Sequence, residues 1–250
     1  MRARAYPAPF LIGSLLMASS ANAAIPSVES ICSGIFDRRA RANVTTLVLE
    51  GVRKRSETDE HPVRVREWIR FGQGHRIELE DDTGKQNILV TRGLRFEWRD
   101  GQAAPKPTRA RTDVLSLFVT NPSNVPEAVR FLAEQKIDVE EINLGRIGPQ
   151  VAYVIGAKPW EREKNQLWVD KLFRAPLALL KVERAEGEPK DSKQRVTTET
   201  RWLEWGSGQT EDWYPRRVET LRNGTLVELT LYDRAIPNGL VEDGRLEPPR

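Results

Sequence analysis

Residues 63–71 read VRVREWIRF. In an extended chain successive side chains point to opposite faces, so Val63, Val65, Ile69 and Phe71 share one side and Arg64, Arg66 and Arg70 the other. Glu67 interrupts the apolar row and Trp68 the polar one. The same period continues downstream. Ile77 and Leu79 alternate with Arg76, Glu78 and Glu80, and Leu94, Phe96 and Trp98 alternate with Arg95, Glu97 and Arg99. A sheet with one solvated face produces this alternation. Turn residues stand between the runs, at Gly72-Gln73-Gly74, Asp82-Thr83-Gly84, Arg92-Gly93 and Asp100-Gly101, and such short connections make antiparallel neighbours.

Working outward, the period changes to that of helices at three places. Ser27 can cap a helix with Val28, Ile31, Cys32, Ile35 and Phe36 on one face and Arg38, Arg39 and Arg41 in its last turn, where cations suit the helix dipole. Asp113 can start a second, with Val114, Leu115, Leu117 and Phe118 as its apolar content. Asn124 can cap a third, with Pro126 and Glu127 in the first turn and Val129, Leu132 and Ala133 following. Strands then resume. Residues 151–155 (VAYVI) are apolar on both sides, residues 166–170 (QLWVD) and 178–182 (ALLKV) flank Ala175-Pro176, and residues 195–205 alternate weakly. Residues 213–221 and 225–232 form a hairpin across Asn223-Gly224, the strongest local turn signal in the chain. The tail from Asn238 is poor in apolar residues and reads as partly disordered.

This pattern predicts an α+β protein. A large curved antiparallel sheet of roughly 11 strands, near the upper limit for an open sheet, carries about three helices on its concave face as a half-barrel. So few helices cannot cover a flat sheet of that width, so the sheet is expected to bend round its own apolar face.

The N-terminus reads as an export signal. Arg2 and Arg4 precede the apolar run FLIGSLLM at residues 10–17, and Ala21-Asn22-Ala23 places small residues at a cleavage site. The run falls short of the roughly 20 residues that span a bilayer. Cys32, the only cysteine, is not placed as a lipoprotein signal requires, so residues 1–23 are expected to be removed and residues 24–250 to form one soluble periplasmic domain, a monomer. Cleavage removes two arginines and no acid, which lowers the formal charge from +3 to +1. That balance excludes a nucleic-acid footprint.

No pattern for catalysis stands out. His61 and His75, the only histidines, have no cysteine pair or carboxylates at ligand spacing and read as surface or turn residues. Glu80-Asp81-Asp82 is a solvated hairpin turn. There is no Ser-His-Asp order, nucleophile elbow or phosphate loop. The expectation is a non-enzyme without metal or cofactor.

Four stretches, in order, carry a family likeness: residues 88–98 (ILVTRGLRFEW), Tyr153 to Gly156 with residues 167–170 (LWVD) and Pro176, residues 213–218 (WYPRRV), and Leu231 to Leu240. Together they resemble the outer-membrane lipoprotein carrier and sorting proteins, the LolA/LolB-like fold shared by periplasmic sensor domains. The likeness spans most of residues 26–240. It implies a carrier that holds acyl chains of lipids or lipoproteins in an apolar cavity and exchanges them with membrane donor and acceptor proteins. The cavity lining would be Val65, Ile69, Phe71, Ile77, Leu79, Ile88, Val90, Phe96 and Trp98, closed by Leu115 and Phe118. The family's basic residue and proline would fall at Gly72-Gln73-Gly74, where Arg70 is the nearest basic side chain. The same apolar row also suits an ordinary sheet core, and a sensor or interaction domain on the same fold is the alternative function.

The signal has a direct test. The protein should be recovered without detergent from the periplasm, and N-terminal sequencing should find its first residue near Ala24; a membrane-bound product that still begins at residue 1 would refute the cleavage.

Overall fold

The computed structural model describes residues 25–91, 94–103, 106–109, 125–184, 195–205 and 214–248. The first helix, α1 (Val28–Arg41), begins where the sequence places it. Ser27 is extended, and its side chain accepts a hydrogen bond from the Ser30 N–H at 3.4 Å. Val28, Ile31, Cys32, Ile35 and Phe36 are buried along one face. The second helix, α2 (Val125–Glu134), carries Glu127 in its first turn and buries Ala128, Phe131 and Leu132. These are the α-helices among the described residues, two rather than about three. The expected helix from Asp113, and the Asn124 cap, lie outside the described residues.

Among the described residues fourteen strands form one open antiparallel sheet, more than the roughly 11 predicted. They are β1 (Thr46–Lys54), β2 (Val63–Arg70), β3 (Gly74–Asp81), β4 (Gly84–Thr91), β5 (Leu94–Arg99), β6 (Gln102–Ala103), β7 (Thr108–Arg109), β8 (Ile142–Ile147), β9 (Gln150–Ile155), β10 (Gln166–Asp170), β11 (Pro176–Arg184), β12 (Arg195–Trp205), β13 (Pro215–Arg222) and β14 (Thr225–Pro237). Two of them, β6 and β7, are two residues long and pair along β5. Strand β1 escapes a period-two reading because Leu47, Val48 and Leu49 are all buried. A strand covered on both faces has no polar side to alternate with.

The order is β6-β5-β4-β3-β2-β1-β14-β13-β12-β11-β10-β9-β8. It consists of two meanders, one from each half of the chain, joined where β1 pairs with β14. At the far end of β14, the left-handed Asn223 (φ 49°) and Gly224 (φ 80°) make the predicted tight hairpin. Such turns match the twist of the flanking strands.

Residues directly paired across strands share a face. Leu47 pairs with Ile69, and Leu49 with Ala235; together with Val44 and Tyr214 they form a cluster against Ala42, at the end of α1. This defines a helix face. On it, α1 and α2 pack over Tyr153, Ile155, Leu167, Val169, Leu179 and Trp202, that is, over β9 to β12. The opposite, outer face carries Val48 and Trp68 in β1 and β2.

The chain after β14 crosses that outer face. Val241 is buried at 3% exposure, and Leu246 packs against the same cluster. Arg245 stacks on Trp68 at 4.6 Å, and Arg70 ion-pairs with Asp243 at 2.6 Å. The expected disorder from Asn238 is therefore corrected for residues 238–248. Val241 and Leu246 are matched to Trp68, the residue that interrupts the polar row of β2, while Leu240 stays exposed.

The seam between β1 and β14 contains a bulge between Glu50 and Gly51. A Cβ on Gly51 would stand 2.0 Å from the Leu231 carbonyl oxygen, a backbone atom that cannot swing aside. We expect Gly51→Ala to destabilise the protein by about 2 kcal/mol or more, in the range of overpacked sites. Urea unfolding measures it, and a loss within about 0.5 kcal/mol, as at an ordinary surface site, would contradict the assigned bulge.

Candidate functional site

In the N-terminal meander, the register places Val65, Ile69, Ile77, Leu79, Ile88 and Val90 on the helix face. Val65 pairs with Leu79, Ile69 and Val90 each pair with His75, and Ile77 pairs with Ile88. Val65, Ile69, Ile88 and Val90 are buried; Ile77 and Leu79 are half-buried. Phe71 follows directly on β2 and lies under the Arg39 guanidinium at 5.2 Å. It therefore packs on α1. Burial lowers the pKa of Arg39 to about 10.

Two residues of the expected lining lie elsewhere. Phe96 pairs with Leu89 and Trp98 with Asn87, which puts both on the outer face. There Trp98 stacks under Arg76 at 5.0 Å. The helix face of β5 is instead Arg95, Glu97 and Arg99, with Arg95 and Glu97 paired at 2.5 Å. The alternation in β5 is real, but its phase is inverted. An alternating run separates two faces without saying which of them is the core, and one residue of register exchanges them. Leu115 and Phe118 lie outside the described residues. Arg70 points to the outer face and is held by Asp243 and the Val241 carbonyl, away from the helix face.

The apolar row is crossed by a polar cluster. Glu67 sits between Val65 and Ile69 on the same face and is 5% exposed. Its Oε2 is 2.6 Å from His75 Nε2, and its Oε1 accepts the Tyr232 hydroxyl proton at 2.5 Å. Tyr232 belongs to β14, on the far side of β1, and reaches Glu67 across Gly51, which has no side chain to obstruct it. His75 is thus a partly buried ion-pair member, not the surface or turn residue expected. Burial works to raise the Glu67 pKa, but the charge and hydrogen bond of His75 and the hydrogen bond of Tyr232 outweigh it and hold the carboxyl below its ordinary value. Burial, and then the Glu67 charge, push the Tyr232 hydroxyl well above its ordinary value. The sequence held one trace of this site, the acid that breaks the apolar row. Neither partner carried a local signal.

Other titratable groups offer less chemistry. Burial, with Glu29 adding to it, pushes the Cys32 thiol up to about 12, which leaves it protonated and inert. No group of metal-ligating side chains occurs among the described residues. A cleft of about 450 Å³ on the outer face is lined by Glu50, Arg64, Arg66, Glu78, Glu80 and Lys85, and of the apolar row only Val65 borders it. Its charges pair among themselves, Arg66 with Glu50 at 2.9 Å and Lys85 with Glu78 at 3.1 Å.

Comparison with known proteins places this architecture. Solved structures share the fold. A LolA superfamily protein from Nitrosomonas europaea superposes with a TM-score of 0.51 at 12% identity, over 89% of this chain and 99% of that one. A domain from Vibrio parahaemolyticus described as an outer membrane lipoprotein-sorting protein gives 0.51 at 12% identity, over 88% and 97%. A DUF1329 family protein from Desulfovibrio piger gives 0.50 at 12% identity, over 89% and 98%. The chain has the LolA-like fold, a large open curved antiparallel sheet bearing helices on one face. No protein-family model matches the sequence, and no curated protein matches it. No helix among the described residues is long and apolar enough to cross a membrane.

The polar cluster is open to test. Tyr232→Phe leaves a buried carboxylate short of a donor and should cost about 1–3 kcal/mol in urea unfolding. Because the Glu67 pKa is lowered on folding, its contribution is present above the ordinary carboxylate range and lost as pH falls through the folded value. The stability advantage of wild type over Glu67→Gln should therefore shrink from about pH 5 downward. An advantage that grows with acid would show that Glu67 is not held ionised.

Proposed function

We propose that the protein is a periplasmic carrier that binds acyl chains of a lipid or lipoprotein on the helix face of its N-terminal meander, as in outer-membrane lipoprotein sorting. The observation that supports this most is the set of apolar side chains Val65, Ile69, Ile77, Leu79, Ile88 and Val90, which share one face of three paired strands on both sides of the Glu67–His75 pair. The two described helices direct most of their apolar side chains to β9–β12 instead, and of the expected lining only Phe71 joins that cluster. The likeness of the whole architecture to a LolA superfamily protein and to a lipoprotein-sorting domain supports the same reading. So does the export signal at residues 1–23, which would deliver the chain to the compartment where such carriers act.

The energetics are those of an apolar ligand. Each methylene taken from water into an apolar site contributes about 0.8 kcal/mol. An acyl chain along the row would pass the Glu67–His75–Tyr232 cluster, in which both carboxylate oxygens already have partners. A ligand need not supply partners for them.

A fluorescent fatty acid titrated into delipidated protein tests the reading, with unfolding followed in the same samples. Micromolar binding is expected. Ile77→Ser with Leu79→Ser should weaken it by about tenfold or more, because half-buried apolar atoms would leave the ligand surface. Phe96→Ser, on the outer face, should change it by less than about twofold. Absence of binding, or equal loss from both faces in folded protein, would end the proposal.

A further inference from the structure

The turn between β10 and β11 carries Lys171, Leu172, Phe173 and Arg174. Leu172 is 79% exposed and Phe173 45% exposed. This tip is held firmly. Asp170, itself buried, accepts the N–H of Leu172 at 2.8 Å and of Phe173 at 2.5 Å on one carboxylate oxygen. Its own N–H goes to the Ala175 carbonyl at 2.8 Å, and the Arg174 N–H returns to the Asp170 carbonyl at 3.0 Å. The apolar pair is therefore presented to solvent by a closed hydrogen-bonded turn.

Cations surround it. Arg38, in the last turn of α1, lies over the Phe173 ring at 5.3 Å. Arg41 is exposed in the same helical turn, and Lys171 is exposed at the tip. Arg174, by contrast, stacks on Tyr153 at 4.6 Å with its Nη1 buried, and supports the turn rather than joining the exposed cations. The Lys171 N–H bonds the Val151 carbonyl, and Val151 pairs with Arg146, which brings exposed Arg146 to the same end of the sheet. Leu144, 45% exposed, lies beside them, paired with Tyr153. The acids of these segments are Asp37 and the buried Asp170, which the turn consumes.

We propose that this end of the sheet docks on a membrane surface that carries anionic lipid. Exposed apolar side chains at the apex with basic side chains around them match an interface in which Leu172 and Phe173 enter the headgroup–acyl boundary and the cations remain at the phosphates. The surface stands apart from the acyl-binding row and adds to the proposed function a place from which a lipid ligand could be exchanged. It does not require that reading to be correct.

Vesicle sedimentation tests it, with phosphatidylcholine vesicles against phosphatidylcholine–phosphatidylglycerol vesicles. The wild-type protein should partition about tenfold or more better to the anionic vesicles, and added salt should weaken that binding. Leu172→Ser and Lys171→Glu, both at exposed positions, should each reduce it by about fivefold or more with no change in thermal midpoint. Fatty-acid titration of the same variants without vesicles should match wild type. No preference for phosphatidylglycerol would overturn the proposal, and so would variants that bind vesicles as wild type does. Loss of fatty-acid binding by Leu172→Ser would also overturn it, because the tip would then belong to the acyl site. If wild type binds no fatty acid at all, the carrier reading falls while the docking measurement stands.

Discussion

The sheet depends on the pairing of β1 with β14. Without it the chain is two separate meanders, each with an unpaired edge in the middle of the molecule. The seam is secured at its end by Asn238. Its side chain accepts the N–H of Thr45, 193 residues away in the chain, at 2.9 Å and donates to the Asn43 carbonyl at 3.1 Å. Thr46 donates its hydroxyl to the Gly239 carbonyl at 2.7 Å. Closing so long a loop costs chain entropy before any contact repays it, so this pairing is expected to form late in folding. The Gly51 bulge lets Tyr232 lie over β1, so the same seam that unites the meanders also completes the hydrogen bonding of Glu67.

Glu67 shows how a buried charge is tolerated on an apolar face. An ionised carboxylate away from water is costly unless both oxygens have partners. His75 comes from the adjacent strand and Tyr232 from two strands away, so the arrangement exists only when β3, β2, β1 and β14 are assembled in register. A register slip of one residue would turn Glu67 to the outer face and Trp68 inward. The cluster thus favours one alignment over its neighbours in addition to whatever net stability it contributes.

The two halves of the helix face are used differently. Over β9 to β12, α1 and α2 fill the face with side chains, and residues such as Ile155, Leu167 and Trp202 are almost wholly buried in a conventional core. Over β2 to β4 the apolar row is flanked by the ionic edge of β5, where Arg95 and Glu97 pair. The stripe therefore ends at a charged margin rather than at a second apolar surface. The outer face is a different surface. The segment after β14 covers Val48 and Trp68, ion pairs such as Arg66–Glu50 and Lys85–Glu78 lie beside it, and Val154, Trp168 and Ala178 form a separate buried cluster on β9–β11.

Some of this was determined by residues close together in the chain. The first helix with its Ser27 cap, the hairpin at Asn223-Gly224 and the alternation of β2, β3 and β5 are local, and a sequence reading of them suffices. The resemblance of four ordered stretches, from residues 88–98 to Leu231–Leu240, pointed to the LolA-like fold that the solved structures share. Local pattern could not assign the phase of β5, because alternation is symmetric between its two faces. Only the pairing of Phe96 with Leu89 settled that these aromatics lie outside. Strand β1 was hidden because burial on both sides erases the period-two signal. The covering of Trp68 by the C-terminal segment and the enclosure of Glu67 by His75 and Tyr232 were likewise decided by tertiary structure alone, because each joins residues from strands and segments that meet only after the sheet has closed at its seam.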